Sequence, residues 1–204
     1  MASRQATAAS LRIDNVAILR GNHLVLRGFS LDVQSGAIIW LRGANGSGKS
    51  TLLRALCGLL PLSGGTIDRV GRIAMTDDAI GLDTDQTLEQ ALRFWSRMDG
   101  TNAAAAEAAL EALDLVPLAE LPVRLLSAGQ RRRGSLARMI ASGAPIWLLD
   151  EPYNALDEAN VVRLDTAIAA HSAQGGIALI ASHIAPSISV SQSVSLDRLT
   201  KAAA

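Results

Sequence analysis

Apolar residues in the first third of the chain alternate or form short runs, which are the patterns of β-strands. Residues 11–19 and 24–33 alternate in part, and the run AIIWL at 37–41 is typical of a buried strand. The segment TLLRALCGLL at 51–60 predicts a helix, and the proline and SGG that follow it predict a loop. The run TIDRVGRIAM at 66–75 is expected to form one further strand.

The pattern changes after about residue 77, where segments with helical spacing replace strands. Three such segments are LEQALRFWSRM at 88–98, AAAAEAALEALDL at 103–115 and LARMIAS at 136–142. We therefore expect a single domain whose core is formed by residues of about 1–76 and 145–204. A helical subdomain of about 77–144 is inserted into that core.

Strand and helix signals alternate in the last part of the chain. PIWLLD at 145–150 and IALIAS at 177–182 are predicted strands, with a helix between them from about Glu158 to His171. A short strand is expected within 190–196. Such alternation predicts an α/β fold with a mostly parallel sheet and helices on both faces, which binds ligands at the carboxyl ends of its strands.

Composition and charge narrow the classes of function. Hydrophobic residues make up 49% of the 204 residues, which is enough for a buried core. Nineteen basic and nineteen acidic residues give a formal net charge of zero, so no nucleic-acid partner is expected. No stretch approaches the roughly 18 apolar residues that span a bilayer. His23 and His171 have no motif around them and are expected at the surface.

Residues 43–50 (GANGSGKS) match the phosphate-binding pattern G-x-x-x-x-G-K-[ST] between a predicted strand and a predicted helix. The glycines let successive backbone N–H groups face one anion, and the helix dipole adds to the attraction. Lys49 is expected to reach the β- and γ-phosphates, and Ser50 to bind Mg²⁺. The alternative is a plain glycine-rich turn. The ATP contacts expected here are Gly43, Ala44, Asn45, Gly46, Ser47, Gly48, Lys49, Ser50 and Thr51.

The run IWLLDE at 146–151 supplies two carboxylates for nucleotide chemistry. Asp150 ends a predicted buried strand and is expected to bind Mg²⁺ together with Ser50. Glu151 is the candidate general base for the attacking water. Many strands end in a charged turn, so this motif is weak alone and becomes specific only beside the phosphate loop.

The stretch LSAGQRRRG at 126–134 opens a predicted helix with a hydroxyl residue, a glycine and a glutamine. A helix N-terminus of this kind can hold an anion. The alternative is an ordinary N-capped helix, which accounts for Ser127 but not for the Ala-Gly-Gln that follows it. Arg131–Arg133 could contact phosphates, although a solvated helix face or ion pairs are favoured.

Taken together, these motifs resemble those of the ATP-binding subunits of ABC transporters, over nearly the whole chain. LSAGQ is similar to the family signature LSGGQ, with Ala128 in place of a glycine. The stretch 155–157 (ALD) after Glu151 resembles the D-loop, and His183 follows an apolar run as the switch histidine of the family does.

The resemblance implies a P-loop NTPase fold with N-terminal antiparallel strands, and two copies that pair head to tail around two ATP molecules. Ser127, Gly129 and Gln130 of one copy would contact the γ-phosphate that the other copy holds. His183 would sense the same phosphate, and ATP with Mg²⁺ would be required.

Within the family, LSAGQRRR and WLLDEPYNALD resemble the branch that serves cytochrome c maturation, often described as haem exporters. The resemblance implies integral membrane subunits as partners at the cytoplasmic face of the bacterial inner membrane. ATP hydrolysis would drive haem export or the release of a haem-loaded chaperone, without haem binding to this chain directly. The alternatives are an ATPase subunit for another solute and, less favoured, an ABC ATPase without a role in transport.

Two positions depart from the pattern of the wider family. Arg20 stands near the usual place of an adenine-stacking aromatic, and a guanidinium can stack on a purine, so a weak adenine contact is expected. Asp78 stands where a glutamine or histidine is usual. Its carboxylate could approach Mg²⁺, but it also adds negative charge beside the phosphates, and a solvated acidic loop is an equal alternative.

Overall fold

A computed structural model describes residues 8–77 and 81–197. The strands, in chain order, are β1 Ser10–Arg20, β2 His23–Gln34, β3 Ile38–Arg42, β4 Gly64–Val70, β5 Ile73–Thr76, β6 Ile146–Asp150, β7 Ile177–Ala181 and β8 Gln192–Ser195. The α-helices are α1 Lys49–Leu56, α2 Leu88–Met98, α3 Ala103–Ala112, α4 Ala128–Ala141 and α5 Glu158–Ala173. Short 3-10 helices lie at Val116–Leu118 and Val123–Leu125.

The strands form two sheets of different kinds. One has the order β5-β6-β7-β3-β8, and its strand pairs are parallel. The other has the order β2-β1-β4, and its pairs are antiparallel. The predicted α/β fold with a mostly parallel sheet and N-terminal antiparallel strands is therefore confirmed.

The prediction of one strand over 66–75 is wrong, because that segment contributes to both sheets. β4 pairs with β1, whereas β5 pairs with β6. Gly71 separates them with a φ of 112°, a backbone conformation that side chains rarely permit, and a Cβ there would lie 2.7 Å from Pro145 Cγ. Strand periodicity does not reveal which sheet a strand joins, so the turn was missed.

The parallel sheet separates two apolar clusters. Along β6, Ile146 and Leu148 belong to a cluster with α1 and the antiparallel sheet, while Trp147 and Leu149 belong to a cluster with α2 to α5. Each residue of β6 is buried for this reason. The sheet therefore carries helices on both faces, as predicted, and its buried strands place their carboxyl ends rigidly.

Helices α2, α3 and α4 follow one another in the chain between β5 and β6. Their apolar faces pack on each other and join the second cluster. A capping box between Thr87 and Gln90 starts α2, and a similar box between Ser127 and Gln130 starts α4. Among the described residues, none of the helices combines the length and the apolar character that crossing a membrane requires.

Candidate functional site

The glycine-rich loop joins the end of β3 to the start of α1. Gly43, Gly46 and Gly48 have φ values of 158°, 83° and 90°. A Cβ at Gly43 would collide with Ser47 Oγ, and one at Gly48 would lie 3.0 Å from Val25 Cγ1. Within the described chain no side chain caps α1, so its first N–H groups are left available to an anion.

Lys49 is almost fully buried beneath this loop. Its ammonium donates to the carbonyl oxygens of Gly43 at 2.8 Å and Ala44 at 3.3 Å, and it lies 3.5 Å from Glu151 Oε1. Ser47 Oγ is also buried and has no hydrogen-bond partner among the described residues. A phosphate oxygen would satisfy such a hydroxyl, because buried polar groups in folded proteins are normally paired.

Asp150 and Glu151 lie at the carboxyl end of β6. Asp150 is 7% exposed. Glu151 has a φ of 43°, and its backbone N–H donates to Ala181 O at 2.8 Å. This turn directs the Glu151 carboxylate away from the strand axis and toward the phosphate loop.

The Glu151 carboxylate also meets His183, which follows β7. His183 Nδ1 lies 2.8 Å from Glu151 Oε2, and the backbone N–H of His183 donates to the same oxygen at 3.4 Å. An ionised carboxylate only accepts hydrogen bonds, so this contact requires a proton on Nδ1. The structure thus brings together Lys49, Glu151 and His183, three residues that the sequence singled out separately.

An open cleft of about 430 Å³ lies over these groups, within the usual range for a small-molecule site. Arg20, exposed at the end of β1, shares this cleft with Ser50 and Glu151, although these residues are far apart in sequence. The complete lining is Arg20, Val25, Asn45, Gly46, Gly48, Lys49, Ser50, Thr51 and Glu151.

The N-terminus of α4 lies outside this cleft. Gln130 N–H donates to Ser127 Oγ at 3.2 Å, and Ser127 N–H donates to Gln130 Oε1 at 2.7 Å. A Cβ at Gly129 would lie 2.7 Å from Ala155 O, so glycine lets α4 approach the stretch after Glu151. Local packing therefore explains the glycine and glutamine that an ordinary cap left unexplained. The residues that line the described cleft do not include Ser127, Gly129 or Gln130 of the same copy.

Asp78 lies outside the described residues. Its neighbour Asp77 ends the described segment and places Oδ2 3.7 Å from Arg54 Nη2. The backbone carbonyl of Asp77 accepts a hydrogen bond from Arg132.

Arg132 and Asp197 contact the site but were not predicted. Arg132 is 8% exposed, so the expectation of a solvated face is wrong for this residue. Its Nη2 donates to the carbonyl oxygens of Asp150 at 2.6 Å and Glu151 at 2.8 Å. Asp197 Oδ1 accepts from the Ala44 N–H at 2.9 Å. Both side chains bond to backbone groups, which are the same in nearly every residue. The types of residue in the sequence therefore carried no signal for these contacts.

Comparison with protein families gives a match between residues 26–154 and the model described as ABC transporter. Among curated relatives, two proteins named cytochrome c biogenesis ATP-binding export protein CcmA are similar over most of their length. The one from Sphingopyxis alaskensis is 49% identical, covering 87% of this chain and 92% of the relative. The one from Novosphingobium aromaticivorans is 50% identical, covering 83% and 86%.

Solved structures give the same fold. A protein from Pyrococcus furiosus described as an ABC transporter ATP-binding protein superimposes with a TM-score of 0.82 at 25% identity, covering 92% of this chain and 97% of that one. A structure described as the ATP-binding subunit of an ABC transporter has a TM-score of 0.78 at 24% identity, covering 86% and 80%.

Proposed function

The chain belongs to the ABC transporter family as an ATP-binding subunit that hydrolyses ATP, and from that premise we propose that it serves c-type cytochrome biogenesis. ATP binding and hydrolysis would drive haem export or the release of a haem-loaded chaperone by a membrane complex. One observation carries the catalytic part: Glu151 lies between Lys49 and His183 at the phosphate loop. The names of the relatives that are 49% and 50% identical support the cytochrome assignment over transport of another solute.

Phosphate binding is proposed to depend on the loop and Lys49. The N–H groups at the start of α1 and the buried hydroxyl of Ser47 would satisfy phosphate oxygens. The Lys49 ammonium would bind the terminal phosphates, which would then compete with Glu151 for it. Arg20 lines the same cleft and is proposed to stack on the adenine.

Magnesium fits the oxygen donors available here. Ser50 lines the cleft and offers a hydroxyl, while Asp150 offers a carboxylate at the end of β6. Oxygen ligands of this kind are those that Mg²⁺ prefers in nucleotide sites. The ion would neutralise charge on the phosphates. A contribution from Asp78 stays a proposal.

Glu151 is proposed to accept a proton from the attacking water. Once phosphate oxygens bind the Lys49 ammonium, the Glu151 carboxylate loses its ion pair and is left available to the attacking water. His183 orients it, because the ring N–H and the backbone N–H both donate to Oε2. The second ring nitrogen, Nε2, would donate to the terminal phosphate, a contact that requires a proton on both ring nitrogens.

A second copy of the chain is proposed to complete the site. The N-terminus of α4 can attract a phosphate through its backbone N–H groups, yet it does not line the cleft of its own copy. Head-to-tail pairing would place Ser127, Gly129 and Gln130 of one copy over the γ-phosphate of the other. Closure would follow ATP binding, and hydrolysis would separate the copies.

As a subunit of an ABC transporter, the chain acts with membrane-embedded partner subunits. We propose that residues 77–144 form the subdomain that contacts them, at the cytoplasmic face of the bacterial inner membrane. Phe94 is 41% exposed and Met98 67% exposed on α2. Such side chains suit a protein contact, because large exposed apolar groups are stabilised by burial.

Deleting the gene and measuring c-type cytochromes, with haem supplied, tests the cytochrome assignment. We expect cytochromes to disappear and the wild-type gene to restore them, while Glu151→Gln does not. Glu158→Gln, an exposed glutamate at the start of α5, is the matched control and should restore them. Unchanged cytochrome levels in the deletion strain would refute this assignment and leave the ATPase activity standing.

A further inference from the structure

Arg132 lies in the second turn of α4 and joins this helix to two other segments of the site. Its Nη1 donates to the Asp77 carbonyl at the end of the described segment after β5. Its Nη2 donates to the carbonyls of Asp150 and Glu151, at 2.6 Å and 2.8 Å. One buried side chain therefore contacts the stretch before Asp78 and the peptide of the proposed general base.

The backbone conformation of Glu151 gives these contacts a role beyond packing. A φ of 43° is costly for a residue with a side chain, so the surroundings must hold it. The N–H of Glu151 is fixed by Ala181 O, and its carbonyl accepts from Arg132 Nη2 and from the backbone N–H of Asn154. Hydrogen bonds from a guanidinium are charge-assisted and stronger than neutral ones. Arg132 is thus the side-chain support for the turn that directs the Glu151 carboxylate.

We propose that Arg132 is a positioning residue for ATP hydrolysis. It holds the Glu151 backbone so that the carboxylate stays between Lys49 and His183. It also makes that position depend on α4, whose N-terminus is the part proposed to meet the nucleotide of a second copy. This inference rests on the proposed role of Glu151 as general base.

Arg133 provides a matched control on the same helix. Its Nη1 donates to the carbonyls of Leu113 at 2.8 Å and Asp114 at 2.9 Å, after α3. The residue type and the kind of acceptor are the same as for Arg132, but the acceptors lie outside the site. If hydrolysis slowed simply because an arginine that binds carbonyls had been removed, substitutions at both positions would slow it.

The test compares Arg132→Lys with Arg133→Lys in steady-state ATP hydrolysis. Lysine keeps the charge but cannot bind several carbonyls in the geometry of a guanidinium. We expect Arg132→Lys to lower kcat about 10-fold or more, since small misplacements of catalytic groups have large effects, with KM for ATP changed less than about 2-fold. Arg133→Lys should stay within about 2-fold of wild type in both parameters.

A second arm asks whether Arg132 acts through Glu151. In a Glu151→Gln background the same lysine substitution should lower the residual rate by less than about 2-fold, because residues that act as a unit are not additive. Arg132→Gln, which keeps an NH2 group as a donor, is the alternative variant if Arg132→Lys does not fold. Unfolding of both variants would overturn the inference, since the arginine would then be needed for the fold.

The outcomes separate this inference from the proposed function. Equal losses of kcat at positions 132 and 133, or equal losses from Arg132→Lys with and without Glu151→Gln, would overturn the positioning role alone. A wild-type protein that hydrolyses no ATP beside its membrane partner would overturn the proposed function, and the inference with it.

Discussion

The phosphate-loop cleft and the N-terminus of α4 are both predicted ATP contacts, but they are built differently. In the cleft, groups from α1, β6 and the stretch after β7 converge, and Lys49 directs its charge at Glu151. At α4, the side chains of Ser127 and Gln130 already satisfy backbone groups of their own helix. The cleft thus gathers groups that can hold a ligand within one copy, whereas α4 offers a helix terminus, which is proposed to meet a ligand held by another copy.

The largest expected effect is in the cleft. Glu151→Gln should lower ATP hydrolysis about 10²-fold or more while ATP still binds, because the amide cannot take a proton from water. Turnover and equilibrium ATP binding should be measured on the same preparation. Glu158→Gln serves as the control. Near-normal turnover of Glu151→Gln would remove Glu151 from its role as general base.

The second prediction distinguishes helix capping from ligand binding at the N-terminus of α4. Ser127→Asp keeps a good N-cap, so thermal stability should be retained. A carboxylate there would repel a phosphate, so hydrolysis should fall at least about 10-fold. Thr87→Asp at the matching capping box of α2 is the control and should leave hydrolysis unchanged. Wild-type turnover in Ser127→Asp would mean that α4 is a capped helix without a nucleotide.

Tyr153 joins the stretch after Glu151 to α5 through a buried hydrogen bond. Its hydroxyl donates to Asp165 Oδ1 at 2.6 Å, and Asp165 Oδ2 accepts from the Ser187 N–H at 2.9 Å. Burial, and then the hydrogen bond to Asp165, raise the pKa of Tyr153, so the phenol keeps its proton. Tyr153→Phe should lower the free energy of unfolding by about 1 to 3 kcal/mol in denaturant titrations. An unchanged denaturation midpoint would show that this bond contributes nothing.

The smallest effect concerns His171, which belongs to neither region. Its ring stacks on Trp147 with centroids 3.7 Å apart and is half-buried, whereas the sequence predicted a surface position. Burial lowers the pKa of His171 below its ordinary 6.5. Below pH 6.5 the unfolded chain therefore binds more protons, and the free energy of unfolding should decrease from its full value as pH falls.

Denaturant titrations of wild type, His171→Gln and His23→Gln between about pH 7.5 and 5.5 check this effect, because this range brackets an ordinary histidine pKa. His171→Gln should lessen the loss of stability in acid, and His23→Gln, at an exposed position, is the matched control. The same acid dependence in all three proteins would contradict the assignment to His171.

The residues of the cleft could be predicted from the sequence better than the residues that hold them in place, for a physical reason. A phosphate loop and a buried strand that ends in Asp150 and Glu151 are local patterns, and parallel strands bring their carboxyl ends together. Arg132 bonds to backbone carbonyls, which every residue has, so its role left no trace in residue types. The turn at Gly71 was missed because hydrophobic periodicity indicates a strand but not the sheet that the strand joins.

The most direct test of the account is the molar mass of the Glu151→Gln protein in solution, measured by light scattering with and without Mg-ATP. If one copy holds the phosphates and α4 of another contacts them, blocked hydrolysis should trap a pair. The account predicts the mass of two copies with Mg-ATP and of one copy without it, and Ser127→Asp in the same background should prevent pairing. A mass of one copy at saturating Mg-ATP, beside bound nucleotide, would contradict the claim that two chains share each ATP.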